Sequence, residues 1–472
     1  MRPRPGAPGS RSTNAPPHGD ETPLVEKGGA TRCRELSSSS RLEVARNRRA
    51  VIVHHDGNQT LEGFGCPSNL ATQTSKSPWQ CSPIWAPRPT AADEVVKRDQ
   101  NRLESTAVSS HTTSKIFVIG GTGAQGMPII RALVADKKYS VRFLTRDPAS
   151  ARATALLGLD NVSVLEGSFA DEAILREGSR GCDGAYVNID GFNTGEKTEM
   201  YWAIRTYEIA IEEGIKFFVY GNLDFGLKKS GYDSRFRAGH YDGKGRVAEW
   251  ILFQNQVNTD RMGAAVFTSG PYIEMVISPL TPMTPTVEDG VVTWRVPLGE
   301  GAVPHVALED CGFYVRWLFD HPERANGMDL EVAIDHIAYA DLAGAFEKVT
   351  GHPAQYIDTD LDTYWNIPVN NMLADMPAGY NADPNDKSTM SYRDNFTGFW
   401  NLWKYGIIKR DYALLDEIHP NRIRSAEQWF SREDRVGREL GKGSLWERLQ
   451  PENWRKDSAI LKGSEDLRTG KL

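Results

Sequence analysis

Seven residues, Gly120 to Gly126 (GGTGAQG), carry the clearest chemistry in the chain. Gly121, Gly123 and Gly126 satisfy G-x-G-x-x-G, while Gly120, Gly123 and Gly126 satisfy G-x-x-G-x-x-G. Closely spaced glycines let the backbone turn sharply and let a pyrophosphate approach the amides at a helix N-terminus. With Thr122, Ala124 and Gln125 between them they form a candidate dinucleotide cradle. About twenty residues on, where an NAD site offers an acid to the ribose, the chain has Thr145 and Arg146. A guanidinium pairs with a 2′-phosphate, and a charge-assisted bond worth roughly 1.5 to 3 kcal/mol favours NADP (NADPH) by about tenfold to a hundredfold. Asp147 beside it leaves NAD open.

Tyr272, Glu274 and Met275 in GPYIEM are candidate substrate contacts, because they follow a strand where an open α/β sheet binds its ligand. Trp294, Trp400 and Trp403 offer flat walls, although aromatics at this density more often build a core. His305 is expected to be structural, just ahead of a helix begun near Asp310, whose carboxylate suits an N-cap.

These residues need a scaffold. KIFVI runs into the glycine turn and a helix near 126–135, followed by VRFLTR, VSVLEGSF, GAYVNI, KFFVYG and AAVFTS, with helical segments between. Strands alternating with helices imply right-handed βαβ crossovers. The fold class expected is α/β, a Rossmann-type doubly wound parallel sheet over 114–270 with a smaller C-terminal substrate lobe over 271–432. Residues 433–472 are expected to form a tail of low order. The Pro-, Ser-, Gly- and Arg-rich stretch 1–113 is expected to be a disordered extension.

Composition narrows the function classes. A net charge of −7 argues against a nucleic-acid surface, which needs a clustered basic face. The five cysteines, Cys33, Cys66, Cys81, Cys182 and Cys311, show no C-x-x-C pair and no metal-ligand spacing, so no metal is expected. No apolar run approaches the roughly 18 residues of a membrane helix, so a cytoplasmic protein with no membrane partner is expected.

FVIGGTGAQG, the strand ending TR, FFVYGNLDF, HYDGKGRVAEWI and SGPYIEM together resemble the NmrA-like family of atypical short-chain dehydrogenase/reductases, over about Lys115 to Arg432. AGHYDGKG in particular is similar to the branch that includes NADPH sensors. The resemblance implies an NADP-binding fold and either of two functions. One is an oxidoreductase acting on a small conjugated carbonyl, quinone or related intermediate, including fungal enzymes of secondary metabolism. The other is a redox-sensing regulator with a protein partner, which would also open a nuclear location.

In an active short-chain dehydrogenase a Ser at the end of the fifth strand orients the carbonyl, a Tyr donates the proton, and a Lys four residues later holds the nicotinamide ribose and lowers the Tyr pKa. Here those positions hold Gly221, His240 and Lys244. Lys244 matches the lysine of isoflavone-reductase-like enzymes, which manage without the Tyr. His240 is a candidate acid or base because imidazole titrates near pH 6.5. Asn222 and Tyr220 are the candidates to replace the missing hydroxyl, and Gly243 and Gly245 put the helicity of this segment in question.

Overall fold

The computed structural model describes residues 113–383, 385–454 and 459–461. Residues 1–112, most of the expected N-terminal extension, lie outside the described residues. Strands β1 (Ser114–Ile119), β2 (Tyr139–Thr145), β3 (Val162–Glu166), β4 (Gly184–Val187), β5 (Phe217–Leu223) and β6 (Gly263–Ser269) alternate with helices α1 (Gly126–Val134), α2 (Ala151–Leu157), α3 (Glu172–Ser179), α4 (Glu196–Glu212) and α5 (Gly239–Asn258). Runs such as Phe117–Ile119 and Gly184–Val187 are buried throughout, as parallel strands covered on both faces require.

Further along come β7 (Thr286–Glu288), β8 (Val291–Val296), β9 (Ala302–His305), α6 (Leu308–Asp320), β10 (Asp329–Glu331), β11 (Asp335–Ala338), α7 (Tyr339–Thr350), β12 (Ala354–Asp358), α8 (Tyr392–Lys404), α9 (Tyr412–Ile418), α10 (Ala426–Glu439) and α11 (Leu445–Leu449). The main sheet has seven strands in the order β10-β6-β5-β4-β1-β2-β3, and every pairing in it is parallel. The order reverses at β1, which pairs with β2 on one side and β4 on the other. A crevice therefore opens at the carboxyl ends of β1 and β4, the switch point where such sheets bind ligands.

One face of the sheet packs on α1 and α6, around Ile130, Phe143 and Leu318. The other packs on α4 and α5, around Phe117, Tyr207 and Ile251. The second lobe closes around Trp294, Trp400 and Trp403, at 0%, 0% and 1% exposure, so these three build core and do not line a pocket wall. Its β7–β8 hairpin turns at Asp289 and Gly290, both with positive φ, the geometry of a two-residue type I′ turn.

The expected division at residue 270 is not a clean break. β10 returns to the main sheet beside β6, and α6 and α9 pack on that sheet, so the segment 271–432 contributes to both cores. Nor does order end at 432: α10 runs on to Glu439, and α11 starts with a Ser444–Glu447 capping box that buries Leu445 and Leu449.

A buried ion pair ties the two parts together. Asp224, immediately after β5, receives Arg410 Nη1 at 2.9 Å on Oδ1 and Nη2 at 2.7 Å on Oδ2, and neither side chain is exposed. Lys229 Nζ adds a third donor at 2.8 Å, and Arg410 Nε donates to the Val332 carbonyl at 3.1 Å. Burial alone would raise the Asp224 pKa, but the two cations outweigh it and hold the group below its usual value.

Candidate active site

The glycine turn leaves β1 and enters α1 through positions that tolerate no side chain. Gly120 has φ +83°, and a Cβ there would lie 2.3 Å from the Asn188 carbonyl oxygen. A Cβ at Gly126 would lie 2.1 Å from the Gly120 oxygen, and one at Gly121 would lie 2.8 Å from Ile130 Cδ1. Gly123 is held by its N–H to the Gly120 oxygen at 3.0 Å. The first turn of α1 carries no acidic residue, which keeps its positive end open to an anion. The glycines pack this turn tightly against Asn188, Ile130 and its own backbone, and the helix N-terminus it leads into, free of acidic residues, fits the pyrophosphate of a dinucleotide.

Thr122, Gly123 and Ala124 form the crest of the turn, whereas Gln125 faces inward at 4% exposure. Its Oε1 accepts the Tyr186 hydroxyl and, at 2.9 Å, Asn188 Nδ2, and its Nε2 donates to Ser269 Oγ at 3.2 Å. Gln125 thus stitches the turn to the ends of β4 and β6 and is not a phosphate contact through its side chain.

Thr145 ends β2 with its Oγ1 accepting the Asp147 N–H at 3.3 Å, and Arg146 follows, half-buried, at the same carboxyl edge. A second cation that sequence reasoning missed stands beside the turn: Arg152 in α2 donates Nη1 to the Thr122 carbonyl at 3.5 Å. Its spacing six residues past Arg146 was the available signal. Arg152 Nη2 also reaches the carbonyls of Ala459 and Ile460 at 3.4 and 3.5 Å, while Ile460 N–H donates to Ser278 Oγ at 3.0 Å.

Between β4 and β5, Lys244 rises from α5 into a nearly closed site, its side chain 9% exposed. Its Nζ donates to Asn188 Oδ1 at 2.9 Å, to the Ile189 carbonyl at 2.8 Å and to the Gly221 carbonyl at 3.4 Å. Glu199 of α4 brings Oε1 to 2.7 Å of the same nitrogen. Burial pushes the Glu199 carboxyl up to about 7 against the pull of Lys244. Neither Glu199 nor Asn188 belongs to a motif in the sequence.

The helicity of this segment is intact: α5 runs unbroken from Gly239 to Asn258. Its glycines serve close packing, since a Cβ at Gly245 would lie 2.4 Å from Phe225 Cβ and one at Gly243 would lie 2.9 Å from Glu196 Cγ. At Gly221 a Cβ would lie 2.8 Å from the Tyr186 hydroxyl, so a serine there would have to displace it. Asn222 does not replace the missing hydroxyl, because its Nδ2 donates to Thr268 Oγ1 at 2.8 Å in the buried sheet. Tyr220 does not either: it is fully buried and its hydroxyl has no hydrogen-bond partner among the described residues.

His240 is no general acid in this setting. It is 8% exposed, with rings of Phe192 and Phe396 at centroid distances of 4.6 and 5.4 Å. Burial first, then the nearby Lys244 charge, pull its pKa down to about 4, against the opposing bond to Asn395. Asn395 Oδ1 takes both the His240 N–H at 3.3 Å and Nδ1 at 2.9 Å. As that oxygen is an acceptor, Nδ1 carries the proton of a neutral ring.

Of the expected substrate contacts, Tyr272 packs partly buried between the two cores. Met275 is in the core at 8% exposure. Glu274 turns inward, and its Oε1 accepts the Leu308 N–H at 3.0 Å at the start of α6, with burial pushing its carboxyl up to about 8. It does the capping expected of Asp310, which lies instead within the first turn of a helix that starts at Leu308. His305 is structural as expected: it is fully buried, with Nδ1 3.2 Å from the Pro271 carbonyl.

Comparison with known proteins agrees with this geometry. A family model described as the NmrA-like family matches residues 112–388, ending short of the Arg432 to which the sequence likeness extends. An NmrA-like family domain-containing oxidoreductase of Aspergillus hancockii is 27% identical over 254 residues, which cover 52% of this chain and 75% of that protein. An NmrA-like family domain-containing protein of Dictyostelium discoideum is 24% identical over 61% of this chain and 96% of its own. Among solved structures, NmrA, a negative transcriptional regulator in complex with NADP, is similar with a TM-score of 0.54 and 17% identity, covering 71% of this chain and 99% of that one. An NADPH-dependent quinone oxidoreductase from Escherichia coli complexed with NADPH gives a TM-score of 0.51 at 17% identity, over 67% and 99%. At these identities the two structures show a shared fold.

Proposed function

Since the chain belongs to the NmrA-like family, we propose that it is an NADP-dependent oxidoreductase reducing a small conjugated carbonyl, quinone or related intermediate, in the setting of fungal secondary metabolism. The observation that carries this reading is Lys244, an amine directed by four protein oxygens to the carboxyl ends of β4 and β5, beside the switch-point crevice. The fungal relative described as an oxidoreductase supports it. On this reading the module from residue 114 acts in the cytoplasm.

When bound, NADPH supplies the hydride. The chain's own residues bind and orient. Gly120 to Gly126 receive the pyrophosphate, and Arg146 and Arg152 stand where a 2′-phosphate would select NADP over NAD. Lys244 holds the nicotinamide ribose and places positive charge where an acceptor's heteroatom gains electron density. Phe192, His240 and Phe396 pack together beside Lys244, with His240 and Phe396 buried, and an acceptor would have to approach the lysine from the open edge of this cluster. With no hydroxyl at 221 and the one proton of the neutral His240 ring held on Asn395, the site suits acceptors whose reduction needs orientation more than acid catalysis.

The test is oxidation of NADPH by the full chain against a panel of quinones, enones and imines. Turnover that collapses in Lys244→Ala supports the enzyme, whereas tight NADPH binding with no oxidation by any acceptor refutes it. A second reading is favoured by that same loss of hydroxyl and proton donor: a redox sensor whose affinity for a protein partner follows the NADPH to NADP ratio. It would also act in the nucleus. Capture of a partner that is ratio-dependent, without turnover, distinguishes it.

A further inference from the structure

Glu199 is buried without the partners that a structural carboxylate collects. It is 0% exposed, and its Oε1 lies 2.7 Å from Lys244 Nζ as an ion pair, while neither carboxylate oxygen has a hydrogen bond of good geometry among the described residues. Room for the second oxygen is made by a glycine: a Cβ at Gly191 would lie 2.3 Å from Oε2. Desolvating an ion pair costs several kcal/mol per ion, and well-packed apolar residues of similar volume are often as stable or better. A glutamate kept in this state at a cofactor crevice therefore calls for a role beyond stability.

The charges around the pair show what the role is. Asp190 and Glu196, on the approach to and first turn of α4, repel Glu199. Glu196 is itself neutralised by Arg237 and Arg246, and His240 on the same helix as Lys244 is neutral. Tyr220 on β5 lies under Lys244, with its ring centroid 5.6 Å from Nζ. Among these groups Glu199 alone brings a carboxylate into contact with the amine.

We propose that Glu199 is the positioning residue of Lys244: it keeps the lysine charged in a site with almost no water and fixes its nitrogen at the ends of β4 and β5. The proposal rests on the oxidoreductase reading for its consequence but not for its test. Without the carboxylate the amine keeps only the neutral oxygens of Asn188, Ile189 and Gly221 around its charge.

The experiment follows the Lys244 side-chain nitrogen by NMR in the full chain labelled at lysine, assigned with Lys244→Arg, and in parallel the pH profile of kcat/KM for whichever acceptor is turned over. In Glu199→Gln the Lys244 nitrogen signal should turn to that of a neutral amine at a pH where wild type keeps the ammonium signal, and kcat/KM should fall about tenfold or more at pH 9. Glu199→Asp should restore most of the wild-type profile. Gly191→Ala, which crowds Oε2 while leaving both charges in the sequence, should move the titration the same way as Glu199→Gln and serves if that variant does not fold. Unchanged Lys244 titration in Glu199→Gln, or in Gly191→Ala where only that variant folds, overturns the proposal. A shifted titration in a protein that reduces no acceptor upholds it and sinks the oxidoreductase reading instead.

Discussion

Asp224–Arg410 and Glu199–Lys244 are both buried ion pairs at the carboxyl edge of one sheet, and they are satisfied to different degrees. Asp224 receives a bidentate guanidinium and a lysine, so two cations face one carboxylate and its pKa falls. Glu199 has one cation, no well-formed hydrogen bond on either oxygen among the described residues, and a pKa raised to about 7. The difference teaches how to separate a clamp from a working group in a fold that buries both. Charge-assisted bonds to both oxygens mark the part that must not move, and a carboxylate without such bonds marks the part whose protons count.

That contrast yields graded predictions. The largest effect belongs to the clamp: Asp224→Ala leaves Arg410 charged and buried, and should cost about 3 to 5 kcal/mol of stability, read from the urea midpoint. A midpoint within about 1 kcal/mol of wild type would show that the pair is no clamp. Lys244→Ala should instead leave the midpoint within about 1 kcal/mol and lower turnover about a hundredfold, or about 2.7 kcal/mol of transition-state energy. If both variants lose stability alike, the distinction between the pairs fails.

On the adenosine side, Arg152→Ala should weaken NADPH more than NADH by about tenfold, as one charge-assisted bond allows, measured by nicotinamide fluorescence. Equal loss for both cofactors would place Arg152 outside the 2′-phosphate site. The smallest effect is expected at His240, where Gln should change turnover less than about threefold at neutral pH. His240→Gln has a thermodynamic signature, however. A histidine whose folded pKa lies below its unfolded one favours the folded state above pH 6.5, and that contribution disappears as pH falls through about 4. Denaturation across this window should give a shallower acid loss in His240→Gln than in wild type.

The parts legible in the sequence were those written locally. The glycine turn and the first six strands follow from runs of apolar residues and their punctuation, whereas Lys244 was reached only through the pattern of the resembled family. Glu199 was not legible, because its partner is 45 positions away on another helix and the glycine that admits it, Gly191, belongs to no motif. The capping of α6 failed for the same reason: Asp310 has the right chemistry nearby, but Glu274, 34 residues upstream, reaches Leu308 first. Gly243 and Gly245 look like helix breakers in isolation and are contact surfaces in the fold. Local grammar also overstated His240, whose titration is decided by Phe192 and Phe396 from two other segments.

The clamp has a consequence for how the molecule is assembled. Asp224 and Arg410 are separated by 186 positions, and the last strand of the main sheet, β10, is reached only after the β7–β8 hairpin, β9 and α6 have been made. A chain growing from its N-terminus therefore completes the glycine turn while its seventh strand is still missing, and Asp224 has only Lys229 as counter-ion until residue 410 has emerged. Such long-range closure folds slowly, and the Asp224–Arg410 bond can form only at its end.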